Sequence, residues 1–328
     1  MHVPIARTLL PAAIAGVVAL SLTSQPAAAA AFPASHPRVL VEYDRESGQQ
    51  PENVVVTPDG KVDVVLSRSA QIQEVTPGGH RRLLASLPQP ADGGVNTPML
   101  GFSLATGLVR TDDGTLYVGY AAGDDSLTGI WRVRPGGRPQ RVIALSAASL
   151  PNGMALDERT GRLYIADSAR GIVWRAPITG GTPTAWASGA VYEPTNQLGV
   201  NGLKVHKGAV WVSNSARGVL LRVPIKPDGS AAAAQTRATG LPFLDDFAFV
   251  GRSDDVVGAL NIANEIALIH PRDGSHSIIL TGEDGLRGPT SVALHGAKLY
   301  VLSAAFVLDA KPNILTAHFH RPHHQEGR

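Results

Sequence analysis

Six oxygen-bearing side chains recur along this chain in one local setting. Glu52, Thr106, Asn152, Asn201, Asp245 and Thr290 each stand two residues before the first apolar position of an alternating run, as in PENVVV, PNGMAL and VNGLKV. Successive members are 54, 46, 49, 44 and 45 residues apart. None is aliphatic, although apolar residues follow each almost at once. A fold that brought them to one axis would gather carboxylate and amide oxygens around a point. That donor set suits a hard cation such as Ca²⁺, which takes about six to eight oxygen ligands. Glu52 and Asp245 would balance its two charges, with Asn152 and Asn201 completing the metal set. The chain has no Cys, and the six positions include no His, which argues against zinc or copper. A polar, water-filled ring without an ion is the other reading of the same residues. Thr106 and Thr290 are candidate substrate contacts, as is Asn96 in the long loop PQPADGGVNTPMLGFS, which is expected to overhang the channel and shape specificity.

The elements that must position these residues follow from the repeat. A period in the forties is the spacing of propeller blades. Each unit holds an alternating strand, a turn rich in Gly or Asp, and a second alternating strand ending in a sequence such as ADSARG or SNSARG. A third strand (GIVWRAP, GVLLRVP, GIWRVRP) and a fourth (RRLLASL, QRVIALS, HSIILTG) complete it. The predicted fold is all-β, a six-bladed β-propeller with four-stranded antiparallel blades. The innermost strand of each blade lines the channel, so the six positions would form a ring around it. The last unit lacks one strand, and RVLVEYD (residues 38–44) precedes the first unit unpaired. Its expected place is the outer edge of the last blade, closing the ring. Asp167 with Ser168, and Asn214 with Ser215, would end second strands beside the ring, either as supports for it or as turn formers.

The chain has 328 residues, 44% of them hydrophobic, with 35 Gly and 24 Pro. That suits one large, turn-rich domain. Net charge is +2, with acids and bases interspersed, and no basic stripe with interleaved aromatics marks a nucleic-acid surface. Residues 1–31 read as a signal peptide: a weakly basic start, the apolar LLPAAIAGVVALSL, then AAAAAF, with cleavage near Ala29–Ala31. The expectation is a secreted monomer with no membrane contact after cleavage, held by its core rather than by disulfides. The propeller is predicted over residues 32–312. Residues 313–328 are read as a last strand and a disordered His-rich tail.

These motifs resemble the gluconolactonase, or senescence marker protein (regucalcin), family of six-bladed propellers, and more distantly strictosidine synthase. The resemblance spans about residues 38–306 and is carried by Glu52 in PENVVV, Asn152 in PNGMALD, Asn201 in VNGLKV and Asp245 in LDDFAF. The pattern GVNGLKV, VSNS, LLRVPI, LDDFAF, GPTSVAL is most similar to a secreted actinomycete and fungal subgroup. The resemblance implies one divalent cation, usually calcium, holding a lactone carbonyl, with Glu52, Asn201 and Asp245 as ligands. It implies Asp245 as the general base and Asn152 as ligand or substrate contact. Such chemistry is coherent, since a cation polarises a carbonyl and a carboxylate takes a proton.

The chain departs from the family in three places, one being Asp-Phe where the family often has Gly after the Asp. Asp246 beside Asp245 leaves the register open by one residue, and no Arg stands in the ring to grip a sugar acid. Three functions stay open at this level: a metal-dependent hydrolase of a lactone or related ester, a natural-product enzyme (condensation or cycloaddition) on the same scaffold, and a ligand-binding propeller without catalysis. No G-x-S-x-G elbow offers a metal-free nucleophile.

Overall fold

A computed structural model of the chain describes Met1 and residues 33–321. The signal-peptide reading and the end of the His-rich tail lie outside the described residues. Six sheets, each of four antiparallel strands, follow one another along the chain. Their innermost strands are Pro51–Val56, Leu104–Arg110, Pro151–Asp157, Val200–His206, Leu244–Phe249 and Pro289–His295 for blades one to six. Among the described residues the one helical element is a 3-10 turn, Gly282–Asp284, and no helix is long and apolar enough to cross a membrane.

Ring closure follows the sequence expectation. Blade six runs outward through Lys298–Ser303 and Asn313–Phe319 to the N-terminal strand Ala34–Glu42. The two chain ends pair from Ala34 with Phe319 to Glu42 with Asn313. Asn313–Phe319 is thus the third strand of this blade, so the ring extends past residue 312. Phe319 is buried with Ala34, Val301 and Leu315 in one apolar cluster. The His320 amide donates to the Pro33 carbonyl, so His318–His320 belong to the closed ring and not to a tail.

Each ring position falls inside a β-bulge. The pairing of the innermost strand with the second strand slips between Pro51 and Asn53, Ala105 and Leu108, Pro151 and Met154, Val200 and Leu203, Leu244 and Phe247, and Pro289 and Ser291. A bulge leaves a residue unpaired and re-aims its side chain. Glu52, Thr106, Asn152, Asn201, Asp245 and Thr290 are among those residues.

The glycines after the ring positions serve the packing of blade on blade. A Cβ at Gly107 would lie 2.2 Å from the Asn152 carbonyl, at Gly153 2.4 Å from the Asn201 carbonyl, and at Gly202 2.6 Å from the Asp245 carbonyl. The neighbouring blade's backbone, not a hairpin turn or a ligand, requires these glycines. Gly202→Ala is expected to destabilise the fold by about 1–3 kcal/mol in denaturant unfolding, because the clash is with backbone that cannot rotate away. An unchanged midpoint would contradict the close contact.

Candidate active site

A belt of hydrogen bonds sews the inner strands together. In five of the six seams the acceptor is the carbonyl just before a ring residue of the next blade. Thr106 donates to Pro151 at 2.7 Å, Ser168 to Val200 at 2.6 Å and Ser215 to Leu244 at 2.9 Å. Asn261 donates to Pro289 at 3.0 Å and Thr290 to Pro51 at 3.0 Å. The sixth seam uses the Ala105 amide and the Ser67 carbonyl. By register, the end of the second strand carries Ser67, Ala121, Ser168, Ser215, Asn261 and Ala304 in blades one to six. Where Ser or Asn ends that strand in blades three, four and five, it makes the seam bond and leaves the ring residue free. Where Ala ends it, in blades two and six, the ring residue is Thr and makes the bond itself.

The ring therefore divides. Thr106 and Thr290 are buried seam donors and do not reach the central cavity. Asn96 is exposed and donates to Asp92 within its own loop; it too is off the cavity wall. Glu52, Asn152 and Asp245 line the floor of a cavity of about 580 Å³ at one end of the channel. Asn201 lies against them, its amide nitrogen 2.7 Å from Asp245 Oδ1. All four are exposed by 6% or less.

The seam bonds also fix which way the two amides face. Ser215 spends its single proton on the Leu244 carbonyl, so its contact with Asn201 Nδ2 at 3.0 Å must be one it accepts. Asn201 then gives its two N–H groups to Ser215 and Asp245, which leaves Oδ1 for a ligand. Ser168 donates to the Val200 carbonyl and accepts from Asn152 Nδ2 at 3.2 Å, leaving Asn152 Oδ1 likewise. Ser168 and Ser215 thus support the ring. If the ring holds a divalent cation, Ser215→Ala is expected to weaken its binding by about 10- to 100-fold, the usual range for a residue that orients a ligand. Isothermal titration would read this, and an unchanged affinity would remove the supporting role.

The bulge settles the place of the two aspartates. Asp245 faces the cavity. Asp246 lies in a second layer, where its Oδ1 takes Lys204 Nζ at 2.6 Å and its Oδ2 takes Ser291 at 2.7 Å and Asn53 at 3.4 Å. Both oxygens of Asp246 are occupied. By contrast Glu52 Oε2 is buried without a hydrogen-bond partner. Burial pushes the Glu52 carboxyl well above its usual range, and the negative charges of Asp245 and Asp246 push it further. Burial likewise raises Asp245, helped by Asp246 and opposed by the Asn201 hydrogen bond.

An orphaned carboxylate oxygen, two carboxyls raised chiefly by burial, and two amide oxygens left without a donor fit a divalent cation. Among the described residues no three His, Cys, Asp or Glu side chains gather into a metal cluster. Two acids and two amides are the whole set, so the amide oxygens would be needed for binding.

Sequence reasoning placed the loop PQPADGGVNTPMLGFS over the channel, and Met99, Leu100 and Phe102 of it do line the cavity; it missed the rest of the wall. Phe243, Ile262 and Phe306 line that part, and Arg45 and Arg68 lie among them. The signal was available in part: Arg68 directly follows Ser67, at the ring end of a second strand, where the next residues border the mouth.

No family model and no curated protein sequence matches the chain. Solved structures do. A calcium-binding protein, regucalcin, from Agrobacterium tumefaciens has a TM-score of 0.64 at 14% identity, over 87% of this chain and 96% of that one. A protein assigned as a gluconolactonase has 0.62 at 16% identity, over 87% and 92%. Virginiamycin B lyase from Staphylococcus aureus has 0.58 at 13% identity, over 87% and 99%. Fold neighbours therefore include the family that the ring motifs resemble. At these identities the likeness is one of fold, the six-bladed propeller, and function must be argued from the site.

Proposed function

We propose that the chain is an exported, calcium-dependent hydrolase of a lactone or related ester, with Asp245 as general base. The observation that carries this reading is the buried pair Glu52 and Asp245, one oxygen of it orphaned, at the floor of an open cavity beside two amides whose N–H groups are spent and whose oxygens are left for a ligand.

A bound divalent cation supplies Lewis-acid polarisation of the substrate carbonyl. Glu52, Asn152, Asn201 and Asp245 would hold it. Asn201 positions Asp245 by its bond to Oδ1, and the Asp245 carboxylate takes the proton from a water attacking the carbonyl carbon. The ring or ester C–O bond then breaks, and the proton on Asp245 passes to the leaving alkoxide. The products are an alcohol and a carboxylic acid, or one hydroxy acid from a lactone. Asp246, already bound by Lys204, Ser291 and Asn53, is not free to share this work.

The test is turnover on a panel of lactones and esters with chelator, then with calcium restored. Calcium-restored hydrolysis is expected. Tight calcium binding with no turnover on any member would favour a binding propeller, and the hydrolase reading would fall.

A further inference from the structure

The wall above the floor differs in chemistry from the floor. Apolar side chains from several blades face the cavity, and their outer members remain in contact with water: Val307 is 73% exposed, Ile262 52% and Met99 49%. Singly exposed apolar residues need no explanation, but a contiguous group around a cavity does. The backbone is strained to present it. Three of the seven non-glycine residues with positive φ among those described sit at this mouth: Met99 at +63°, Phe243 at +50° and Ala305, next to Phe306, at +51°. Left-handed backbone is unfavourable for such residues and persists where surrounding structure enforces it, often at ligand sites.

Above the floor the neutral hydrogen-bonding groups are four amides, Gln50, Asn196, Gln197 and Asn261, and two of them are partly spent. Gln50 gives its amide to the Ala304 carbonyl, and Asn261 gives its amide to Pro289. A polyhydroxylated ring packed on Phe102, Phe243 and Phe306 would leave hydroxyls facing hydrocarbon, at about 1–3 kcal/mol for each unmade bond.

One positive charge on the wall has no ion pair among the described residues. The Arg68 guanidinium carbon lies 3.8 Å from the centre of the Phe102 ring, and among the described residues no carboxylate pairs with it. Arg45 has an exposed partner, Asp309, at 3.6 Å, and Glu46 is the other charged residue of the upper wall. A guanidinium held flat on an aromatic ring offers its edge to a planar anion.

Resting on the hydrolase reading, we propose that the substrate is an amphipathic lactone or ester: an apolar, aryl- or alkyl-bearing body with an acid group at its far end, rather than a sugar lactone. Its carbonyl faces Glu52, Asn152 and Asp245. Its body packs on Phe102, Phe243 and Phe306, and its distal carboxylate meets Arg68.

Calorimetry on the calcium-loaded protein tests this with three acids that mimic ring-opened products: gluconate, 3-phenylpropionate and 3-(4-carboxyphenyl)propionate. The aryl diacid is expected to bind at least tenfold more tightly than gluconate, with phenylpropionate between them. Arg68→Gln is expected to weaken the diacid at least fivefold and phenylpropionate less than twofold, with an unchanged melting curve as the check on folding. Gluconate binding as tightly as the diacid would overturn the proposal. So would equal losses for both aryl acids in Arg68→Gln, or no binding by any probe. Binding as expected with no turnover on any lactone or ester would sink the hydrolase reading alone. Turnover that prefers sugar lactones would sink this one alone.

Discussion

Replacing Asp245 by Asn is expected to lower turnover at saturating calcium by at least about 10³-fold, read as kcat from initial rates. The substitution keeps the side chain's size, so the bulge that aims position 245 and the contact with Asn201 survive sterically. Lost are the basic oxygen, for which a positioned general base typically contributes about 10²–10⁴, and one of two negative charges facing the cation. Asp246→Asn gives the contrast. Its carboxylate is fully engaged by Lys204, Ser291 and Asn53 and does not border the cavity. Its kcat should stay within about tenfold, while stability falls by about 1–3 kcal/mol because Lys204 and the buried donors lose a charged acceptor. The opposite pattern, with position 245 tolerant and position 246 essential, would move the base by one residue and reject the assignment of Asp245 to the cavity floor.

How far the chain could be read from its residues alone depends on which physical cause acted. The blades were legible because strand alternation and turn residues are local, and six copies reinforce one another. Closure was legible because RVLVEYD and the short last unit each lacked a partner. The ring was legible as positions but not as roles. Polarity alone treated Thr106 and Thr290 like Asn152 and Asn201, whereas the seam bonds separate them. The distinguishing signal sat elsewhere: Ala121 and Ala304 stand where Ser168, Ser215 and Asn261 stand in other blades, and a missing donor there commits the Thr. The Asp245 and Asp246 ambiguity rested on strict alternation, which a bulge suspends, so both side chains turn inward at different depths. The wall was legible only in the loop that carries Met99 and Phe102, because Phe243 and Phe306 come from other loops with no common spacing. Arg68 shows the same limit: its ring partner, Phe102, is 34 residues further along the chain.

Calcium should stabilise the protein, and by more at pH 8 than at pH 5. In the ion-free protein the Glu52 and Asp245 carboxyls lie above their unfolded values, chiefly through burial. Between the ordinary carboxylate range and those raised values the native state holds more protons than the unfolded chain. Ion-free stability from these groups is therefore fully present at low pH and is lost as pH rises through the raised folded values. Calcium acts in the reverse sense. It requires both carboxylates deprotonated, so its affinity grows as protons leave. At free calcium about 100 times Kd the gain is about 2.7 kcal/mol, and this should appear in the melting difference between calcium and chelator. Asp63, pushed up to about 6 by burial despite Arg110 beside it, lies away from the cavity and affects both samples alike, so it cancels in that difference. The Glu52→Gln, Asp245→Asn double variant should lose the calcium increment at both pH values, and its ion-free melting temperature should fall less between pH 5 and pH 8 than that of the parent. A calcium increment that is equal at the two pH values, or that survives in the double variant, would place the ion somewhere other than the propeller axis.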